Sequence, residues 1–266
     1  MNEQVQLITD FINEKLQGNI YGLVSYDIAQ LKGDRKYGEG KGRYFDCDDT
    51  NLSRAIFTVV FDGVWKDLNS QTLEQGKYRG DTINSFNTIF GRPADEGGFF
   101  GLNQFEPDDQ LVARVTRFHS LYHTIGNMVV LPNAYIGKYS LNTFRGSYYK
   151  WRDYIDQFVK ALHDYLTDKG DIENEVFLQL MELNKDDFNK YLEFRGFKLL
   201  MNRLLLDYCL DEQGAPRHLF DVVYYWDKKL TRESYRKHIT KYLDFCKSFI
   251  ENRGKRIVEI LESKIR

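Results

Sequence analysis

Apolar side chains recur at intervals of three and four residues along most of this chain, most clearly in segment 151–166, WRDYIDQFVKALHDYL. There Trp151, Ile155, Phe158 and Leu162 fall on one face of a helix, and we predict that this face is core. Only four prolines interrupt the 266 residues, which favours long helices. We therefore predict a mostly α (α+β) fold.

Long helices are also predicted at both ends of the chain. Residues 2–17 have apolar spacing typical of an amphipathic helix, with Gly18 as its stop. A final helix begins at Thr231, and Arg253-Gly254 is expected to interrupt its apolar seam. We predict one mainly helical domain over residues 1–226. Residues 227–266 form a basic amphipathic helix packed on that domain or extending from it.

The segments between these helices contain weaker signals. MVVLP predicts a short β-region near residues 127–131, and residues 32–51 have the glycines and mixed charges of a surface loop. Ser53 is a candidate cap for a helix that runs through residues 55–68. An extended or turn segment follows, then a short helix capped near Asp81 or Thr82. Asp186 or Asp187 is a plausible cap for a later helix.

Composition limits the class of protein. No stretch approaches the roughly 20 apolar residues of a membrane span, so we expect a cytoplasmic protein with no membrane partner. The three cysteines, Cys47, Cys209 and Cys246, are odd in number and far apart, which favours reduced core residues over disulfides.

Charge is distributed unevenly along the chain. Residues 228–266 contain 12 Lys and Arg against 5 Asp and Glu, a balance of +7, which leaves −9 for the rest of a chain whose net charge is −2. Such a basic helix could bind nucleic acid or an acidic protein surface, form a homo-oligomer, or dock on its own domain.

The candidate site lies in segment 118–151, which places histidines, glycines, asparagines and an arginine between two helical patterns. His119 and His123 are predicted on the last turns of one helix, and Asn142 and Arg145 at the head of the next. Together with Asn127 these side chains suggest a pocket for a phosphate-containing ligand such as a nucleotide or nucleic acid.

In this hypothesis Arg145 binds the anion, His123 is the acid or base, and Asp153 orients Arg145 or holds a cation. The competing interpretation is structural. Arg145 would then bridge buried carbonyls, and Asn127 and Asn142 would shape turns. His119 and His123 have metal-ligand spacing but no evident third ligand, so we predict no metal site. The sequence does not identify a cofactor.

The same segment resembles an uncharacterised bacterial domain family of unknown function over roughly residues 44–226. The resemblance implies a bacterial protein but no established activity. The matching residues are Thr124, Ile125, Gly126, Met128, Asn142, Arg145, Gly146, Asp153, Asp156, Asp187, Phe188, Arg195 and Gly196.

A weaker similarity involves Ile125-Gly126-Asn127 and Leu141-Asn142, which are similar to part of the HNH-type nuclease domain in modification-dependent restriction enzymes. Those enzymes carry an upstream histidine in a strand, and this chain has no such motif. The similarity therefore implies at most a degenerate HNH-like nuclease.

Overall fold

The computed structural model describes residues 2–40, 44–85, 109–147, 154–169, 174–220 and 231–266. Within them the fold is mostly helical with one small sheet, as the sequence predicts. The α-helices are α1 (Glu3–Leu16), α2 (Asn51–Val60), α3 (Ser70–Glu74), α4 (Asp109–Leu121), α5 (Leu141–Ser147), α6 (Ile155–Thr167), α7 (Glu175–Leu183), α8 (Lys185–Phe188), α9 (Phe194–Arg203) and α10 (Arg232–Ile265).

The sheet consists of β1 (Tyr78–Thr82) paired antiparallel with β2 (Met128–Pro132). All residues of β2 are buried, as expected for the apolar run predicted near residues 127–131. The predicted helix cap at Asp81 or Thr82 is wrong, because both residues belong to β1. The apolar content of YRGDT is too low for periodicity to distinguish a strand from a turn.

Thr50, and not Ser53, caps α2, because the Thr50 hydroxyl accepts a hydrogen bond from the Ser53 amide at 3.1 Å. The Ser53 hydroxyl instead donates to the Cys47 carbonyl at 2.6 Å. The helix ends at Val60, so its predicted continuation to residue 68 is wrong. The turn that follows brings Trp65 onto the sheet, where the indole N–H donates to the Val130 carbonyl at 2.8 Å.

The C-terminal helix α10 packs against α4 and against two 3₁₀ turns, Ile20–Val24 and Ile125–Asn127. The helix α10 is continuous from Arg232 to Ile265, through the Arg253-Gly254 pair that is predicted to interrupt its apolar seam. The buried residues of the predicted apolar seam are Ile239, Leu243, Cys246, Ile250 and Ile257.

Arg253 points into the protein and is 2% exposed. Its guanidinium donates to the carbonyls of Gly126 at 3.0 Å, of Met128, and of Leu204 at 3.1 and 3.2 Å. It also lies over the Phe61 ring, 5.6 Å from the centroid. Burial lowers the pKa of Arg253 to about 9, so the side chain remains a cation at neutral pH. This residue joins α10 to the start of β2 and to the end of α9.

The predicted core face of α6 is confirmed at Ile155, Phe158 and Leu162, each at most 1% exposed, whereas Trp151 lies outside the described residues. The helix begins at Ile155, and Asn142 and Arg145 belong to the separate short helix α5.

The structure also tests the predicted helix cap at Asp187 and the predicted reduced state of the cysteines. Asp187 caps no helix through its side chain and instead accepts from the Lys66 amide at 3.0 Å and the Tyr78 hydroxyl at 2.7 Å. All three cysteines are free and buried, as predicted.

Candidate functional site

The two histidines of the central segment do not share a helix. His119 lies on α4, which ends at Leu121, so His123 is in the turn beyond the helix. The predicted i, i+4 placement on one helix is therefore wrong. The Thr124 hydroxyl donates to the Leu121 carbonyl at 2.8 Å and satisfies an acceptor that a further helical turn would use.

His123 is half-buried, and its Nδ1 lies 3.9 Å from a carboxylate oxygen of Asp27. Burial lowers the pKa of His123, and the charge of His119 lowers it further, whereas the charges of Asp27 and Asp46 oppose the shift. The net effect keeps the imidazole neutral at neutral pH, when one ring nitrogen can accept a proton.

Asn127 is fully buried and makes its hydrogen bonds within the protein. Its side-chain oxygen accepts from the Asn84 amide at 3.0 Å, and its Nδ2 donates to the carbonyls of Asn84 at 3.0 Å and Tyr122 at 2.8 Å. These contacts tie the residues after β1 to the turn after α4.

Asn142 is 4% exposed, and its Nδ2 donates to the Arg79 carbonyl in β1 at 2.9 Å. Asn127 thus bonds to the backbone of Asn84, and Asn142 bonds to the backbone of Arg79. These two positions are five residues apart, which is roughly 17 Å along an extended chain. The structure does not bring these two asparagines together. Asp153 and the side chain of Arg145 lie outside the described residues, although α5 carries Arg145 on its backbone close to β1.

A site that the sequence did not predict lies next to Arg79. We call Asp46 and Asp48 the carboxyl pair. They flank Cys47 where a short 3₁₀ turn packs against β1, inside the segment predicted to be a surface loop. Asp48 is 7% exposed, whereas the Asp46 side chain is 45% exposed. The pair is therefore reachable from solvent through Asp46.

Gly80 allows Asp48 to lie close to the strand. A Cβ added at Gly80 would approach the Phe57 ring to 2.5 Å and the Asp48 Cβ and carbonyl oxygen to 2.9 Å. The glycine inside β1 therefore has a steric reason, namely close approach of the turn that carries Asp48. The contact between the Asp48 turn and Gly80 leaves no periodic pattern in the sequence.

The two carboxyls of the pair have opposed pKa shifts. Burial raises the pKa of Asp48 to about 10, with further contributions from the hydrogen bond to Asp46 and from the charges of Asp46 and Asp81. The hydrogen bond from Asp48 lowers the pKa of Asp46, and the charge of Arg79 lowers it further. Arg79 Nη2 lies 3.3 Å from Asp46 Oδ2. At neutral pH the pair is a neutral acid beside an ionised carboxylate.

Arg79 extends this site outward. Its side chain is 49% exposed, and its guanidinium interacts with the hydroxyl of Tyr135 as well as with Asp46. The site therefore places a cation, Arg79, beside the carboxylate of Asp46, which neighbours the proton donor Asp48. These are the groups that anion recognition and acid catalysis require.

A cleft of about 390 Å³ near the Tyr78–Asp187 hydrogen bond has a different character. Each of its three lysines already faces a carboxylate: Lys66 to Asp186 at 3.7 Å, Lys77 to Asp67 at 2.6 Å, and Lys185 to Glu182 at 2.5 Å. Arg79 is paired with Asp46 in the same way, so ion pairing alone does not separate the two sites.

Three side chains of the proposed basic surface on α10 are used inside the protein. Arg253 and Tyr242 are buried, and Arg256 pairs with Asp207.

Across the described residues, no group of three His, Cys, Asp or Glu side chains has metal-ligand geometry. None of the helices in those residues is both long enough and apolar enough to cross a membrane.

The titration of Asp48 has a consequence for stability. Its pKa is about 10 in the folded protein and near 3.8 in the unfolded chain, so the folded state holds one more proton between those values. The stabilisation is complete below the unfolded pKa and is lost as pH rises through the folded pKa. Between pH 5 and 9 the free energy of unfolding should fall by at most about 1.4 kcal/mol per pH unit.

The neutral isostere Asp48→Asn can still donate a hydrogen bond to Asp46 but cannot lose a proton. We expect urea denaturation of this variant to show a smaller loss of stability with pH than the wild type, and greater stability at pH 9. Equal slopes for the two proteins would contradict a buried protonated Asp48.

Comparisons with protein-family models, curated proteins and solved structures found no match for this chain.

Proposed function

We propose that the protein is an enzyme that hydrolyses a phosphate-containing ligand by acid–base catalysis at the carboxyl pair. The observation that carries this proposal is the buried carboxyl of Asp48, 7% exposed, beside Asp46, whose Oδ2 lies 3.3 Å from Nη2 of the half-exposed Arg79. A carboxylic acid kept neutral at physiological pH can donate a proton to a leaving group. A half-exposed arginine can bind the phosphate.

His123 is the base in this mechanism. Asp46 influences the pKa of both Asp48 and His123, which supports one electrostatic neighbourhood for the three groups. Burial raises the pKa of Asp48 and lowers the pKa of His123. The Asp48 carboxyl therefore keeps its proton while the His123 imidazole stays neutral. Such opposed shifts are typical of acid and base partners in active sites.

The reaction transfers two protons. His123 takes one from a water molecule as its oxygen attacks phosphorus, and Asp48 gives its own to the leaving oxygen as the phosphorus–oxygen bond breaks. Arg79 offsets the negative charge that develops on the phosphoryl oxygens. Transfer of the proton from His123 back to Asp48, through solvent, restores the starting state. Arg145 and Asp153 remain predicted contributors.

The test is hydrolysis of a panel of phosphate mono- and diesters, including p-nitrophenyl phosphate, bis(p-nitrophenyl) phosphate and cyclic and linear nucleotides. We expect Asp48→Asn to lower kcat by roughly 10²- to 10⁴-fold. Arg79→Met should mainly raise KM, because it removes a binding cation.

A matched control is Arg117→Met, which removes a side chain of similar exposure, 46%, from its ion pair with Glu251 on α10. This variant should keep wild-type kinetics. Full activity of Asp48→Asn, or no hydrolysis of any panel member by the wild type, would overturn the proposal.

A further inference from the structure

Tyr135 is a large aromatic side chain that remains 47% exposed beside the proposed phosphate site. It lies in the loop that follows β2, whose Leu131 is the register partner of Arg79 in β1, and its hydroxyl interacts with the guanidinium of Arg79. Tyr44, 81% exposed, precedes Asp46 by two residues. Exposed aromatic residues therefore occur on both chain segments that supply the site.

The loop holds Tyr135 in a fixed position through hydrogen bonds on both sides. Before it, the Asn133 amide donates to the Lys77 carbonyl at 2.9 Å and the Ala134 amide to the Asn184 side chain at 3.4 Å. After it, Ile136 and Tyr139 exchange two backbone hydrogen bonds at 2.8 and 3.0 Å.

Gly137 adopts φ +59° within the tight turn between Ile136 and Tyr139, a conformation that favours glycine. The backbone around Tyr135 is thus ordered before any ligand arrives. A tyrosine side chain has few rotatable bonds, so a ring on a backbone held in this way loses little conformational entropy when a planar group stacks on it.

We propose that the ligand of this site is a nucleoside phosphate whose base stacks on Tyr135 while its phosphate contacts Arg79. The inference rests on the proposed function and names its substrate class. Stacking suits this surface because any nucleobase offers a flat π-face, and the tyrosine ring needs no specific hydrogen-bond partner to receive it. The positively charged guanidinium of Arg79 binds the phosphate group, so a nucleoside without phosphate lacks this contact.

The test is calorimetric titration with inorganic phosphate, ribose 5-phosphate, adenosine and adenosine monophosphate. The wild type should bind the nucleotide most tightly. Tyr135→Leu should weaken nucleotide binding by about 5- to 150-fold, the measured range for loss of one base–aromatic contact, and should leave affinity for ribose 5-phosphate unchanged. Tyr135→Phe should retain nucleotide affinity, because the ring remains.

Tyr21 provides a matched control, since it is 48% exposed and its hydroxyl faces Glu262 of α10, away from Arg79. Tyr21→Leu should leave every affinity unchanged. Equal affinity of the wild type for adenosine monophosphate and ribose 5-phosphate would overturn the stacking proposal while leaving the phosphate site intact. Failure of all phosphate compounds to bind would overturn the proposed function itself.

The nucleoside phosphate can be a free nucleotide or the end of a strand, and a short 5′-phosphorylated oligonucleotide distinguishes them. Affinity that exceeds the nucleotide's and falls steeply with salt supports a strand end. Affinity no greater than the nucleotide's supports the free ligand. If Tyr135→Leu weakens binding of the nucleotide or of the oligonucleotide, the stacking contact is supported. If the variant binds both as tightly as the wild type does, the stacking contact is contradicted.

Discussion

Arg253→Met is expected to destabilise the protein by more than about 4 kcal/mol, because it strands three buried carbonyls at once. The carbonyls of Gly126, Met128 and Leu204 receive their hydrogen bonds from this guanidinium in a region without solvent access. Each unsatisfied buried acceptor costs about 1–3 kcal/mol. Methionine fills most of the same volume, so the loss reports the hydrogen bonds more than a cavity.

Arg256→Met is the control on the same helix. Arg256 pairs with Asp207 while its side chain remains 35% exposed, and an exposed ion pair of this kind is worth at most about 1 kcal/mol. Urea denaturation monitored by circular dichroism measures both variants. Similar small losses for the two substitutions would contradict the role of Arg253 as the link between α10, β2 and α9.

Gly126→Ala should have an effect of similar size for a steric reason. A Cβ at Gly126 would lie 2.1 Å from the Ile250 carbonyl oxygen and 2.9 Å from the Gly254 nitrogen, both in the backbone of α10. Backbone atoms of a long packed helix cannot turn aside as a flexible side chain can. The helix must therefore move away from the 3₁₀ turn, and we expect a loss of roughly 3 kcal/mol or more in thermal or urea unfolding.

The partner glycine gives a sharp contrast. A Cβ at Gly254 would meet Val24 Cγ1 at 3.3 Å and Gly126 Cα at 3.7 Å. Alanine also favours a helix interior over glycine by roughly 1 kcal/mol, so Gly254→Ala should be nearly neutral. Equal tolerance of alanine at both positions would show that the close crossing of the two elements does not exist in solution.

Local sequence patterns were sufficient to predict the helices that bury one regular face. The spacing of Ile155, Phe158 and Leu162 predicts their burial, and the hydroxyl of Thr231 caps α10 as predicted. The apolar run of β2 also identified a strand, because four of its five residues are large and apolar. In each case the neighbours along the chain contain the information.

The site could not be predicted in the same way, because its properties arise from contacts between distant segments. Asp48 lies in a charged, glycine-rich segment, and its close packing against β1 depends on Gly80, which is 32 residues away in sequence. Sequence reasoning also expected Arg253 to interrupt a seam, since an arginine on an apolar face ordinarily disfavours burial. The carbonyls that make its burial tolerable come from residues 126, 128 and 204.

The sequence signal that came nearest to the site was Asn142, whose side chain contacts the backbone of Arg79. The acidic residues at positions 46 and 48 show no periodic pattern that would have identified them. Two aspartates near a helix cap are common on protein surfaces, where they are solvated and ionised. Only the fold distinguishes this pair from that ordinary case.

The protonation state of Asp48 is the central claim, and a carbon-13 NMR titration of the aspartate side-chain carboxyls measures it directly. Comparison with Asp48→Asn assigns the resonance. We expect the Asp48 carboxyl to keep the chemical shift of a protonated acid through pH 7 and to titrate near its raised pKa of about 10. An Asp48 resonance that titrates near pH 4, with an ionised carboxylate at neutral pH, would contradict the acid catalyst and the function built on it.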